Sequence, residues 1–235
     1  MFAWPTLIHK LDRLDTSCQT YGRKHAMSAH PSTPTLHTAT ATDAARQELK
    51  DTLTLQRTAY LANPYPSLEE RTADLRKLQA FIREHREAII DAISADYGNR
   101  SRHETQFAEI FSVIDGVDHT IKHLKKWMKP QRRSIDMKNF FGAKNRVIPQ
   151  PLGVVGCIVP WNFPINLSFN GLIAIFAAGN RSMVKMSENS RHLARLLIDK
   201  IPAYFSQDKL AFFDETGGVG IEFSQLKFDH LLFTR

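Results

Sequence analysis

The sequence predicts an α/β fold: an incomplete doubly wound parallel sheet preceded by a helical segment. Two observations carry this. After residue 152, short apolar runs bounded by Gly and Pro alternate with stretches of helical spacing, whereas before Pro130 the spacing is helical throughout. The run 153–159 is apolar at almost every position, the pattern of a strand covered on both faces. The 235 residues, 43% hydrophobic and 23% charged, suffice for one large domain or two small ones.

Taken in order, residues 1–41 are expected to be a disordered extension. The opening apolar run Met1-Phe-Ala-Trp-Pro-Thr-Leu-Ile8 is too short for a signal peptide and is followed at once by Lys10, Asp12 and Arg13. Met27 is a second plausible start, and a Pro/Thr/Ala-rich stretch follows it. A helical segment is predicted over 42–130. Its first helix begins near Thr42 and carries Leu49, Leu53 and Tyr60; Asn63-Pro64-Tyr65-Pro66 breaks it. Ser67-Leu-Glu-Glu70 is a capping box opening a second helix, with Leu75, Leu78, Ile82, Ile89 and Ile93 on one face and Gly98 as its stop. In a third helix Phe107, Ile110, Phe111, Ile114, Val117, Ile121 and Leu124 step by three or four until Pro130. Residues 131–151 read as a basic connector with a short extended piece at 146–150.

From 152 to 235, strands are predicted at 153–159, 182–186, 210–213 and 230–234, with helices at 167–178, 190–205 and 221–225 between them. The last strand runs to the final residues. Open sheets of this kind normally continue, so the domain is expected to be truncated.

Between residues 121 and 150 stand nine Lys or Arg against Asp136 alone, an excess of eight where the whole chain has seven. Such a stretch can bind phosphate backbones. Without a nucleic-acid motif beside it, a solvated helix end and connector is preferred, and no nucleic-acid partner is expected. Cys18 and Cys157 lie far apart, which gives neither a disulfide framework nor a metal cluster and suits a reducing cytoplasm. No apolar run reaches the ~20 residues that span a bilayer, so no membrane partner is expected.

Ligands of such sheets sit beyond the carboxyl ends of the strands. The first strand is followed by Pro160-Trp-Asn-Phe-Pro164, a turn stiffened by two prolines that presents Trp161 and the amide of Asn162, a donor suited to an oxyanion. The second is followed by Lys185-Met-Ser-Glu188. An acid at that place commonly binds a ribose hydroxyl, and the lysine adds a cation for the same ligand. Taken singly, Asn162 also suits a turn cap, Trp161 simple packing, and Glu188 the charge at a helix start.

Together these stretches resemble the aldehyde dehydrogenase superfamily. The resemblance rests on Pro151-Leu-Gly-Val-Val-Gly-Cys-Ile-Val-Pro-Trp-Asn-Phe-Pro164, on Ala178-Gly-Asn-Arg-Ser-Met-Val-Lys-Met-Ser-Glu188, and on Phe228-Asp-His-Leu-Leu-Phe-Thr234. It covers about residues 45–235, and Asn63-Pro64 with Gln225-Leu-Lys-Phe-Asp-His230 brings it nearest the coniferyl aldehyde dehydrogenase group. The resemblance implies a Rossmann-like NAD(P)-binding domain and oxidation of an aldehyde, of aromatic coniferyl type, to a carboxylic acid. It implies NAD or NADP as cofactor, a small-molecule aldehyde as substrate, and a homodimer or higher oligomer in the cytoplasm. Asn162 then matches the oxyanion amide, Lys185 and Glu188 the pair on the adenosine ribose, and Ile158, Pro160 and Trp161 the cofactor and active-site channel. Arg235 stands where the family has a glycine, and the phosphate-binding turn, general-base glutamate and nucleophilic cysteine are expected to be missing. Cys157, inside a buried strand, is no substitute. The chain alone is therefore expected to be inactive, and the rival reading is a non-catalytic fragment.

Overall fold

The computed structural model describes residues 42–234, so the expected disorder of 1–41 and the departure at Arg235 fall outside the described residues. Helix α1 (Asp43–Ala62) starts where Thr42 accepts a hydrogen bond from the Ala45 amide, and the chain breaks at Asn63 before two prolines. Helix α2 (Leu68–Glu84) opens on the complete capping box. Glu70 donates its amide to the Ser67 hydroxyl at 3.1 Å and accepts the Ser67 amide at 2.6 Å.

The single helix expected up to Gly98 is two. A break at His85 separates α2 from α3 (Arg86–Tyr97), yet Leu75, Leu78, Ile82, Ile89 and Ile93 are all buried as their spacing requires. The third helix is α4 (Arg102–Thr105), a widened π-turn over Gln106–Phe111, and α5 (Ser112–Trp127). A π-turn inserts residues into the helical phase. Phe107 and Phe111, expected on the apolar face, are instead 74% and 59% exposed and stack on each other at 6.0 Å, while Glu109 is turned fully inward. The basic connector contains a two-stranded antiparallel ribbon, β1 (Gln131–Arg133) with β2 (Asn145–Val147), exposed along both strands.

The main sheet comprises β3 (Val154–Ile158), β4 (Arg181–Lys185), β5 (Leu210–Phe213) and β6 (His230–Phe233). All pairings are parallel, in the order β5-β4-β3-β6. The connecting helices are α6 (Pro164–Ala177), α7 (Arg191–Lys200) and α8 (Val219–Gln225). Helix α6 begins earlier than the spacing suggested, because Pro164 at its first position is pre-set for the turn. Helix α7 ends earlier, passing into a 3₁₀ turn (Ile201–Ala203) at Pro202.

Side chains alternate across the sheet. Val155, Cys157, Val184, Leu210 and Phe212 face a core built with α2, α3, α5, α6 and α7; Val154, Met183, Ala211 and Phe213 face α1 and α8. The sheet is thus covered on both sides, and the fold is α/β and Rossmann-like. Gly156 is needed on the second face, where a Cβ would stand 2.5 Å from the Phe228 ring. Buried Gln56 ties α1 to the sheet by donating to the carbonyls of Ser182 and Gln207 at 2.9 and 3.0 Å.

Candidate functional site

Strand order reverses between β3 and β6, so the ligand crevice of this sheet lies beyond the carboxyl ends of its central strands. Ile158 and Lys185 are register partners, and the Val159 amide donates to the Lys185 carbonyl at 3.0 Å. The two turns singled out from sequence therefore leave the sheet side by side.

In the first turn Pro160 and Asn162 are half-buried and Trp161 is 52% exposed. The Phe163 amide donates to Asn162 Oδ1 at 3.1 Å, which leaves Nδ2 as the side chain's remaining hydrogen-bonding atom. The backbone of the turn is held from the helical segment. The Tyr97 hydroxyl donates to the Trp161 carbonyl at 2.9 Å and also reaches that of Asn162, and its ring lies 5.8 Å from that of Trp161. Arg100, sandwiched with its guanidinium carbon 4.8 Å from the rings of both Tyr97 and Phe163, donates to the Asn162 carbonyl at 3.1 Å.

Arg100 is in turn paired with Glu109 at 2.7 Å, both side chains being buried. The second Glu109 oxygen accepts the Ile165 amide at 2.7 Å and the Asn166 amide at 3.3 Å, so this carboxylate caps α6, which has no cap of its own. Burial pushes the Glu109 carboxyl above the usual carboxylate range, against the pull of the Ile165 amide and the Arg100 guanidinium. Arg100 Nε is buried without a hydrogen-bond partner and Nη2 makes only an ion pair with the exposed Glu104 at 3.3 Å, so Glu109 is the one buried counter-charge of the guanidinium among the described residues.

In the second turn Lys185 is buried and its ammonium pairs with Glu215, from the loop after β5. Glu188 is exposed and, with Ser187, Arg191, Arg195, Asp214, Glu215 and Thr216, lines a cavity of about 220 Å³. Capping of α7 does not fall to Glu188. Asp96 of α3 accepts the His192 and Leu193 amides at 2.8 and 3.0 Å. Cys157 is fully buried, and burial pushes its thiol up to about 12, so it cannot supply a thiolate.

The structure thus brings Ile158, Pro160, Trp161, Asn162 and Lys185 to one edge of the sheet and sets Glu188 on the adjoining cavity. Sequence reasoning missed Tyr97, Arg100, Glu109 and Glu215. One signal for Glu109 was present: it falls four residues before Val113 and eight before Val117, on the apolar stripe, where an acid needs a partner.

Comparison with known proteins identifies the family of this chain. The aldehyde dehydrogenase family profile matches residues 21–203. A probable coniferyl aldehyde dehydrogenase of Pseudomonas aeruginosa is 45% identical over 179 residues, 76% of this chain and 37% of that protein. The coniferyl aldehyde dehydrogenase of Pseudomonas sp. strain HR199 is 43% identical over 188 residues, 80% of this chain and 38% of that one. The substrate-bound AldH of Staphylococcus aureus superposes with a TM-score of 0.71 at 25% identity, over 78% of this chain and 40% of that one. The chain thus spans about two fifths of the relatives it matches. On the profile match and these identities, this chain belongs to the aldehyde dehydrogenase family.

Proposed function

We propose that this chain provides the oxyanion amide and the adenosine-ribose half of an NAD(P) site for oxidation of an aldehyde to a carboxylic acid, with aromatic aldehydes of coniferyl type as substrates. The observation that carries the reading is the register pairing of Ile158 with Lys185, which puts the Asn162 turn beside the Lys185–Glu188 turn at the ligand end of the sheet. The family is NAD(P)-dependent. The donor set fits that cofactor: a buried ammonium, an exposed carboxylate and a cavity of about 220 Å³ adjoin one another at the place where such sheets hold a ribose. A bound NAD(P) would supply the hydride acceptor of the oxidation.

The residues of this chain hold and polarise. Nδ2 of Asn162 donates to the carbonyl oxygen as negative charge gathers there, and Arg100 and Tyr97 keep the turn from yielding. Lys185 and Glu188 orient the adenosine end. The attacking thiolate is not Cys157, the one cysteine among the described residues. The setting proposed is a cytoplasmic homo-oligomer; the resemblance supports it.

The test is a chimera in which this chain replaces the matched stretch of the Pseudomonas aeruginosa relative. It should oxidise coniferyl aldehyde, and Asn162→Ala should lower kcat about a hundred- to a thousandfold. Glu188→Ala should instead raise KM for the dinucleotide with little change in kcat. Residues 1–235 alone should produce no NADH. An active chimera indifferent to Asn162→Ala would remove the oxyanion role, and steady turnover by 1–235 alone would refute the assignment of the nucleophile outside these residues.

A further inference from the structure

We infer that Glu215 is a specificity-determining carboxylate: by engaging Lys185 it makes the site select an adenosine ribose with a free 2′-hydroxyl over one carrying a 2′-phosphate. The inference rests on the reading of Lys185 and Glu188 as the ribose site.

The Lys185 side chain is only 8% exposed. A cation so buried needs a counter-charge, and Glu215 supplies it. Glu215 is itself held, since its Oε1 accepts the Gly220 amide at 3.3 Å. Gly220 leaves room for the pairing: a Cβ there would lie 3.1 Å from both Glu215 oxygens and 3.4 Å from the Lys185 ammonium. The turn that brings Glu215 to this place runs through Gly217 and Gly218, at φ +78° and +70°, values suited to glycine.

The charges around the cavity set its preference. Glu188, Asp214 and Glu215 contribute three carboxylates. Arg191 and Arg195 also line it, but both are exposed, and Arg191 Nε already donates to the Glu188 carbonyl at 3.2 Å. Exposed cations are screened by water and count for little beside an ammonium as buried as that of Lys185. A 2′-hydroxyl can donate to Glu188 while the Lys185–Glu215 pair stays intact. A 2′-phosphate would bring two further negative charges beside carboxylates, and to reach the one buried ammonium at the site it must displace Glu215. Neutralising Glu215 removes the repulsion and frees Lys185 together.

The experiment is calorimetric titration of the 1–235 chain with 5′-AMP and with adenosine 2′,5′-bisphosphate, at fixed low salt. The unsubstituted chain should bind 5′-AMP about tenfold more tightly than the bisphosphate. Glu215→Gln should close or invert that ratio while changing 5′-AMP affinity by less than about threefold. Glu215→Thr serves as a second variant, and thermal unfolding verifies that each is folded. If both folded variants keep the original ratio while Glu188→Ala weakens both nucleotides, the role of Glu215 is overturned and the ribose site stands. If the unsubstituted chain binds neither nucleotide, the ribose-site reading falls and takes the inference with it.

Discussion

Two buried side chains, Arg100 and Glu109, bear much of the weight of the Asn162 turn. Removing one partner of a buried ion pair strands the other charge and costs about 3–5 kcal/mol, whereas replacing both with apolar side chains can be close to neutral. Glu109→Gln should therefore destabilise the chain by about that amount in urea, and Glu109→Gln with Arg100→Met should recover most of it. Costs that simply add would show that the two side chains act separately. The placement of Asn162, Lys185 and Glu188 was legible because each stands at or just after the end of a strand that apolar runs had already located. Arg100 and Glu109 were not, because the pair forms through a π-turn that helical spacing does not announce. Glu215 was hidden for another reason: its partner stands thirty positions away, across a helix and a strand.

Local chemistry decided which elements could be foreseen. The Ser67–Glu70 capping box and the two prolines after Asn63 act within a few residues, so the start of α2 and the end of α1 were readable. The break at His85 carries no Gly or Pro, and the β1–β2 ribbon joins residues twelve or more apart, so neither gave a local sign. The capping box also makes a pH prediction. The Ser67 amide first, and then its hydroxyl, hold the Glu70 carboxyl below its ordinary value of 4.5. A carboxyl depressed in the folded state stabilises above its unfolded value, and that contribution disappears as pH falls through the folded one. Glu70→Ala, which removes the carboxylate that accepts the Ser67 amide, should thus destabilise the chain near neutral pH. The cost should shrink as the solution is acidified, as denaturant midpoints across a pH series would reveal. A cost constant with pH would show that the charge of the Glu70 carboxylate contributes nothing to the cap.

At the scale of the whole molecule, apolar runs alternating with helical spacing were enough to foresee a doubly wound sheet; strand order, which depends on crossovers, was not. Among the described residues strand β6 pairs with β3 only, and Leu231 and Phe233 on it are 39% and 62% exposed. Exposed apolar edges template association. Residues 1–235 should therefore self-associate with rising concentration, and Leu231→Lys with Phe233→Lys should return them to a monomeric elution volume. An elution volume unaffected by these substitutions would place the sticky surface elsewhere. The two carboxylates from the helical segment bear on the order of assembly. Helices α6 and α7 begin without caps of their own; Glu109 and Asp96 fill that role from 56 and 96 residues earlier in the chain. The capping groups leave the ribosome before the helices they serve, and wait folded on α3 and the π-turn. The sheet region expressed without residues 42–130 would begin both helices with bare amides, so the early helices act as a template on which the later half is built.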